Sequence, residues 1–302
     1  MNLHETSELI TVLGPTASGK TRLAVAIAEI VCGEIISADS RQVFRGMDIG
    51  SGKDLHEYKD IRYHLIDVLG AGEEFSVFEF KRRFNAAFED ITLRNMMPIL
   101  CGGSGMYLDS VLRGYRLIEV PRDEALRSEL AEKSGEELVS LLSTLKPGQH
   151  NSTDLLDRER TIRAIEIARG EISSSQLPDP VVKLSSTVIG IHLERDVLRQ
   201  RITGRLKSRL DSGMIEEVEH LNSIGVGWDR LNYYGLEYRY VGEYLRGELN
   251  KNDMFQKLNA AIHNFAKRQM NWYRRMERDG ILINWIDGDN ELLEQAIKII
   301  HK

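Results

Sequence analysis

Gly14-Pro15-Thr16-Ala17-Ser18-Gly19-Lys20-Thr21 matches the phosphate-binding pattern G-x-x-x-x-G-K-[ST] at every fixed position. Backbone N–H groups in such a turn converge on an anion, and the following helix N-terminus adds partial positive charge. Lys20 contributes a full charge and Thr21 a hydroxyl suited to Mg²⁺. The expected ligand is a phosphate or diphosphate group, whatever molecule carries it. Asp39 is a second candidate. It follows a predicted strand and is succeeded by Ser40, Arg41 and Gln42. A carboxylate there can hold Mg²⁺ or accept a proton from a nucleophile, or simply cap a helix. Gln42 has the paired donor and acceptor that read an adenine edge. Gly102-Gly103-Ser104-Gly105 forms another strand-to-helix turn, with a hydroxyl in reach of phosphate.

These groups need a scaffold that brings them together. Leu9–Leu13, Glu34–Ser37, Tyr63–Val68 and Met97–Cys101 read as strands, with helices over Arg22–Val31 and Phe75–Asn95 between them. Such alternation predicts a parallel sheet covered by helices, with ligands beyond the carboxyl ends of the strands. The phosphate loop, Asp39 and the second glycine turn all fall at such ends and should share one cleft. Residues 113–183 break the alternation. They are charged and helical in pattern, with loop-like stretches at Lys146–Thr153 and Ser173–Pro180. The expectation is a helical insertion at 113–183 within a core made of 1–112 and 184–302. A strand over Ser186–Leu193, helices over Asp196–Ile224, Glu237–Gly247 and Asn252–Arg278, a strand over Ile281–Ile286 and a last helix complete the core.

The 302-residue chain carries 46 acidic against 40 basic residues, a net charge of −6. The average hides two basic stretches. Arg195, Arg199, Arg201, Arg205, Lys207 and Arg209 face Asp196 alone, and Lys267, Arg268, Arg274, Arg275 and Arg278 face Glu277. They form either a localised anion-binding face or ordinary solvated helix faces. No apolar run is long enough for a membrane span, and Met1–Glu8 lacks the apolar centre of a signal peptide. Cys32 and Cys101 lack metal spacing and read as buried free thiols, so a cytoplasmic protein is expected.

The motifs occur in a specific order. The phosphate loop is followed by Ser37–Lys53, His64–Asp67, Gly102–Tyr107, Asp157–Glu166, Gly213–Val218 and Ala266–Gln269. Over about Leu9 to Arg275 the chain resembles the tRNA dimethylallyltransferases, the isopentenyl-tRNA (IPP) transferase family. The resemblance implies an α/β, P-loop NTPase-like parallel sheet with flanking helices and a helical insertion domain. It implies transfer of a dimethylallyl group from dimethylallyl diphosphate to N6 of adenosine 37, in tRNAs reading codons that start with U, with Mg²⁺.

By the same resemblance Gly14–Thr21 would grip the diphosphate, with Thr21 on the metal. Asp39 would be the general base, Ser104 a hydroxyl near base and diphosphate, and Arg205 a further diphosphate contact. Asp39, Ser40, Arg41, Gln42 and Ser104 would meet the target nucleotide. Glu159, Arg160 and Arg163, and also Lys267, Arg268 and Gln269, would touch the anticodon stem-loop. The chain would work as a monomer. Some positions depart from the family pattern. Ser104 and Ser51 replace Thr, Arg209 stands where Met is usual, and Tyr233–Tyr238 differs from Gly-Tyr-Arg/Lys-Gln/Glu. Alternatives are an adenylate dimethylallyltransferase using AMP, ADP or ATP, a P-loop small-molecule kinase, and a non-enzymatic phosphate-loop binding protein.

Overall fold

A computed structural model describes residues 8–147, 158–173 and 184–301. The acidic N-terminal residues 1–7, Asp157, and most of the loop stretches foreseen at 146–153 and 173–180 lie outside the described residues. In chain order the elements are β1 (Leu9–Leu13), α1 (Lys20–Val31), β2 (Gly33–Ala38), β3 (Tyr63–His64), α2 (Val77–Leu93), β4 (Met97–Gly102) and α3 (Gly105–Leu112). Next come α4 (Glu124–Ala131), α5 (Gly135–Leu145), α6 (Arg158–Ser173), β5 (Ser186–His192), α7 (Arg195–Asp211), α8 (Met214–Ser223) and α9 (Trp228–Tyr234). The last are α10 (Leu236–Leu245), α11 (Lys251–Arg278), β6 (Asn284–Asp287) and α12 (Leu292–Ile300). The chain divides into two compact units, Met1–Tyr115 with Val182–Lys302, and Arg116–Val181.

The larger unit contains one six-stranded sheet in the order β3-β2-β4-β1-β5-β6. Every pairing is parallel. Side chains alternate across a strand, so β1 feeds two cores. Leu9 and Leu13 join Ile36, Leu100 and the helices α2, α3 and α8–α11 on one face. Ile10 and Val12 join Ile35, Ile99 and Ile189 under α1 and α12 on the other. This double burial explains why β1 and β2 are buried at every position.

The strand register places three loops side by side. Leu13 of β1 pairs with Gly102 of β4, and Gly102 pairs with Ala38 of β2. Gly14, Gly103 and Asp39, the next residue of each strand, therefore begin three adjacent loops.

Three local expectations differ from the structure. The third strand ends at His64 rather than Val68, because Leu65 and Asp67 take left-handed conformations (φ 63° and 56°). The chain then folds back on the segment after β2, where Asp67 and Val68 donate to the carbonyls of Gln42 and Val43. The helix foreseen over Asp196–Ile224 is two helices, broken at Gly213, whose φ of +100° a glycine adopts freely. Cys101 is buried as expected, but Cys32 is exposed, since it ends α1 at the surface turn leading into β2.

In the smaller unit α4, α5 and α6 bury Leu126, Leu130, Leu138, Leu142, Ile162 and Ile165 against one another. Ser134 and Glu137 form a reciprocal capping box that fixes the start of α5.

Candidate active site

Loop, helix and strand ends are tied together around the phosphate loop. The backbone amide of Thr16 donates to Gln269 Oε1 at 2.8 Å, and Gln269 Nε2 donates to the Gly103 carbonyl at 2.9 Å. A single side chain from α11 thus joins the first glycine loop to the second. A Cβ at Gly103 would stand 2.3 Å from Gln269 Nε2, so a larger residue there would push the Gln269 carboxamide off its partners. One turn further along the same buried stripe, Tyr273 donates its hydroxyl to the Gly14 carbonyl at 2.9 Å. Thr21 hydrogen-bonds the buried Tyr58 hydroxyl. Pro15, Ala17 and Gly19 contribute loop backbone, with Ser18 N donating to Pro15 O.

Lys20 Nζ donates to the Pro15 carbonyl at 2.8 Å, which curls the ammonium over the loop. Burial lowers its pKa to about 8; neighbouring Arg205 adds to the fall, while Cys101 and Asp39 oppose it. Lys20 therefore lies within the field of both Arg205 and Asp39. The Ser18 hydroxyl is buried without a hydrogen-bond partner among the described residues. An unpaired buried donor inside a cationic loop suits an anionic oxygen.

Asp39 stands at the adjoining strand end. Its Oδ1 accepts the Arg41 amide at 2.9 Å, and this turn fixes the carboxylate over the cleft. Ser104 Oγ accepts the Ser40 amide at 3.0 Å, while the Ser104 amide donates to Ala38 O. The Arg41 guanidinium lies 5.6 Å from the centroid of the exposed Tyr233 ring.

Several residues missed by the sequence reading hold the loop after Asp39. The Glu217 carboxylate accepts the amides of Asp48, Ile49 and Gly50 at 2.8, 2.6 and 3.0 Å. Tyr238 bridges the Ser51 amide to Glu217. Lys53 is fully buried, donating to the Phe44 carbonyl and paired with Asp48 and Asp67. Both Glu217 and Lys53 lie inside ordered motifs, which is the signal that marked them, but spacing alone revealed no partner.

Other expected contacts prove internal. Gln42 is buried; its Oε1 accepts from Ser37 Oγ at 2.9 Å and its Nε2 donates to Gly52 O at 3.2 Å. The amide meant for an adenine edge thus secures the loop. Gln269 is likewise buried and bound at both ends, so it is not displayed to an RNA. Arg205 is salt-bridged to Asp54 at 2.5 Å and reaches the Gly52 carbonyl, leaving further guanidinium donors. Arg209 lies beside it, 3.9 Å from Asp54 and 4.0 Å from Glu237. On α6, Glu159 and Arg160 are exposed. Arg163 is instead a brace, paired with buried Glu166 and donating to Val120 O at 2.8 Å. Lys267 and Arg268 are exposed on α11.

Hard oxygen donors fit a divalent cation such as Mg²⁺, and the Thr21 hydroxyl would supply one beside a ligand's own phosphate oxygens. Glu34, His64 and Asp90 also gather at the opposite end of β2. The Arg94 guanidinium and His64 bind Glu34 there and hold its carboxyl down at about 2, so that cluster is an ion-pair network.

The chain is similar to known proteins over nearly its whole length. A family model described as IPP transferase matches residues 42–276, and one described as isopentenyl transferase matches 7–67. The chain belongs to the IPP transferase family. It is 60% identical over 292 residues to tRNA dimethylallyltransferase 2 of Trichlorobacter lovleyi, covering 97% of this chain and 96% of that protein. The enzyme of the same name from Pelobacter propionicus is 61% identical, over 97% and 93% of the two chains. The crystal structure of the tRNA isopentenylpyrophosphate transferase from Bacillus halodurans superposes with a TM-score of 0.71 at 30% identity, over 97% and 94% of the two chains. A eukaryotic dimethylallyltransferase acting on tRNA shares the fold, with a TM-score of 0.76 at 21% identity over 93% of this chain and 73% of that one. The six-stranded parallel sheet of this IPP transferase family member is P-loop NTPase-like. No helix among its described residues is long and apolar enough to cross a membrane.

Proposed function

We propose that the chain transfers the dimethylallyl group of dimethylallyl diphosphate to N6 of adenosine 37 in tRNAs that read codons starting with U. The observation that carries this reading is the convergence of Gly14, Asp39 and Gly103 on three neighbouring strand ends, bridged by Gln269. That puts an anion cradle beside a carboxylate, as transfer from a diphosphate to a weakly nucleophilic amine requires.

In this reading the allylic C–O bond breaks as the bond from N6 to the same carbon forms. The leaving diphosphate gathers charge, and the loop N–H groups, Lys20 and Arg205 stabilise it more in the transition state than in the ground state. Mg²⁺, with Thr21 among its ligands, would neutralise part of that charge when bound. The N6 lone pair is delocalised into the purine, so Asp39 takes the amine proton as the nucleophile attacks. Ser104 hydrogen-bonds the Ser40 amide and keeps the Asp39 turn in place. The adenine must leave its stack to reach this cleft.

In this scheme the helical unit offers the RNA the exposed Arg160 on α6, and the larger unit offers Lys267 and Arg268 on α11. The enzyme acts as a cytoplasmic monomer. The test offers labelled dimethylallyl diphosphate with unmodified anticodon stem-loop RNA and with AMP in parallel. Label at N6 of adenosine 37 supports the reading; label on AMP alone overturns it in favour of an adenylate transferase.

A further inference from the structure

A groove of about 1200 Å³ runs between α7 and α11 on the flank of the phosphate loop away from Asp39, with Pro15 at one end. Its walls are two helical stripes. On α7 the stripe is Arg195, Arg199, Thr203 and Lys207, each one turn beyond the last. On α11 it is Ala260, His263, Lys267, Met270 and Arg274, next to the buried apolar stripe that holds α11 to the core.

The charge in this groove is unbalanced. The cations of α7 that point elsewhere are matched: Arg201 pairs with Asp289 at 2.9 Å, Arg205 with Asp54, and Arg209 lies near Asp54 and Glu237. Arg195, Arg199, Lys207, Lys267 and Arg274 have no carboxylate within ion-pair distance among the described residues, and Glu194 is the single acidic group in the wall. In a chain with an acidic excess, five unmatched cations in one groove mark a site for a polyanion. Burial lowers the pKa of His263, and the field of Arg199 lowers it further. The remaining wall is rich in amides and hydroxyls, including Gln256, Asn259, Asn264 and Thr203, which hydrogen-bond phosphate and sugar.

We propose that this groove binds the sugar-phosphate backbone of the RNA substrate, with Arg195, Arg199 and Lys207 as phosphate contacts not assigned above. The inference rests on the reading of the chain as an RNA-modifying transferase. The dimensions favour a polymer over a free diphosphate. Arg195 and Lys207 are separated by about 18 Å of helix at 1.5 Å per residue, whereas a diphosphate can engage one or two cations. The groove also begins at Pro15 of the phosphate loop, so a strand lying in it would run along the flank of the phosphate loop opposite the Asp39 cleft.

The test replaces all three α7 cations, as Arg195→Gln, Arg199→Gln and Lys207→Gln together, in the full chain. Anticodon stem-loop binding is measured against salt, with prenyl transfer by the parent enzyme run alongside. The expected result is a plot of log affinity against log salt shallower by about 2, from about 0.7–0.9 per lost phosphate contact. The KM for dimethylallyl diphosphate and inhibition by inorganic pyrophosphate should stay at parent values. Arg201→Gln, on the same helix but matched to Asp289, should leave the slope unchanged and controls for damage to α7. An unchanged slope in the triple variant overturns the proposal. So does a shift in pyrophosphate inhibition alone, which would give the groove to the diphosphate. A parent enzyme that binds stem-loop yet transfers nothing to it overturns the transferase reading and leaves the slope to decide the groove.

Discussion

Gln269 and Thr16 lie 253 residues apart in the chain, yet the Gln269 carboxamide accepts the Thr16 amide at 2.8 Å while its nitrogen holds Gly103. The phosphate loop is therefore shaped by a helix that comes almost at the end of the sequence. Replacing Gln269 by Leu leaves a buried N–H and a buried carbonyl unpaired, at about 1–3 kcal/mol each. The expected result is a lower melting temperature together with a weaker grip on dimethylallyl diphosphate, read as a raised KM. Gln269→Glu keeps the acceptor for Thr16 but loses the donor to Gly103 and sets a negative charge by the diphosphate. It should harm donor binding more than Leu does, although it removes fewer hydrogen bonds. Equal KM values for parent and both variants would refute the bridging role.

Asp39 is held by its own turn, through the Arg41 amide, rather than by a cation. Its oxygens therefore remain available to a substrate proton. Asp39→Asn keeps the shape and the turn but cannot accept that proton. Turnover should fall by about a hundredfold or more, the ordinary scale for general-base catalysis, with stem-loop affinity within a few-fold of the parent. Parent-like turnover in Asp39→Asn would remove the base from the scheme.

Lys20 links the site to pH. Burial holds its pKa near about 8 in the free enzyme, so the ammonium that grips diphosphate is complete below that pH and is lost as pH rises through it. The kcat/KM for dimethylallyl diphosphate, which reports free-enzyme ionisations, should fall above about pH 8. A bound diphosphate stabilises the ammonium, so kcat at saturating donor should hold to higher pH. Cys101, close by, is pushed up to about 12 by burial and does not titrate in this window. A kcat/KM flat to pH 10 would show that Lys20 keeps its proton or does not bind the donor.

The parts legible in the sequence are those governed by local pattern. The glycine loop, the strand over Leu9–Leu13 and the carboxylate at the end of β2 follow from residue type and period. Register follows less directly: the adjacency of Gly14, Gly103 and Asp39 needed the strand order in addition to the strands. Long-range partners could not be read at all. Gln42 has the chemistry to read adenine, but Ser37 and Gly52 occupy its amide, and only folding brings Gly52 there. Glu217 looks like any helix-surface glutamate until the amides of Asp48, Ile49 and Gly50 are seen on it. The basic run on α7 divides into matched and unmatched cations for the same reason, since Asp54 and Asp289 are remote in sequence.

Arg163 and Glu166 make the same point for the helical unit and give its stability a pH dependence. Burial pushes the Glu166 carboxyl up, but Arg127, the Asp123 amide and Arg163 outweigh it and hold it down at about 2. A carboxyl lowered in the folded state stabilises fully above its unfolded pKa, near 4.5, and that contribution drains away as pH falls toward 2. Glu166→Gln should therefore loosen residues 116–181 at neutral pH, seen as faster amide exchange in α4 and α6. The gap from the parent should narrow steadily below pH 4.5 as the parent's own carboxylate is protonated. Arg163→Ala should show a smaller loosening in the same segment, because Arg127 remains on Glu166. Its salt dependence of RNA binding should stay at the parent slope, in contrast to Arg160→Ala, whose exposed guanidinium is placed to meet a phosphate. A reduced slope in Arg163→Ala, with exchange unchanged, would return Arg163 to the RNA contacts.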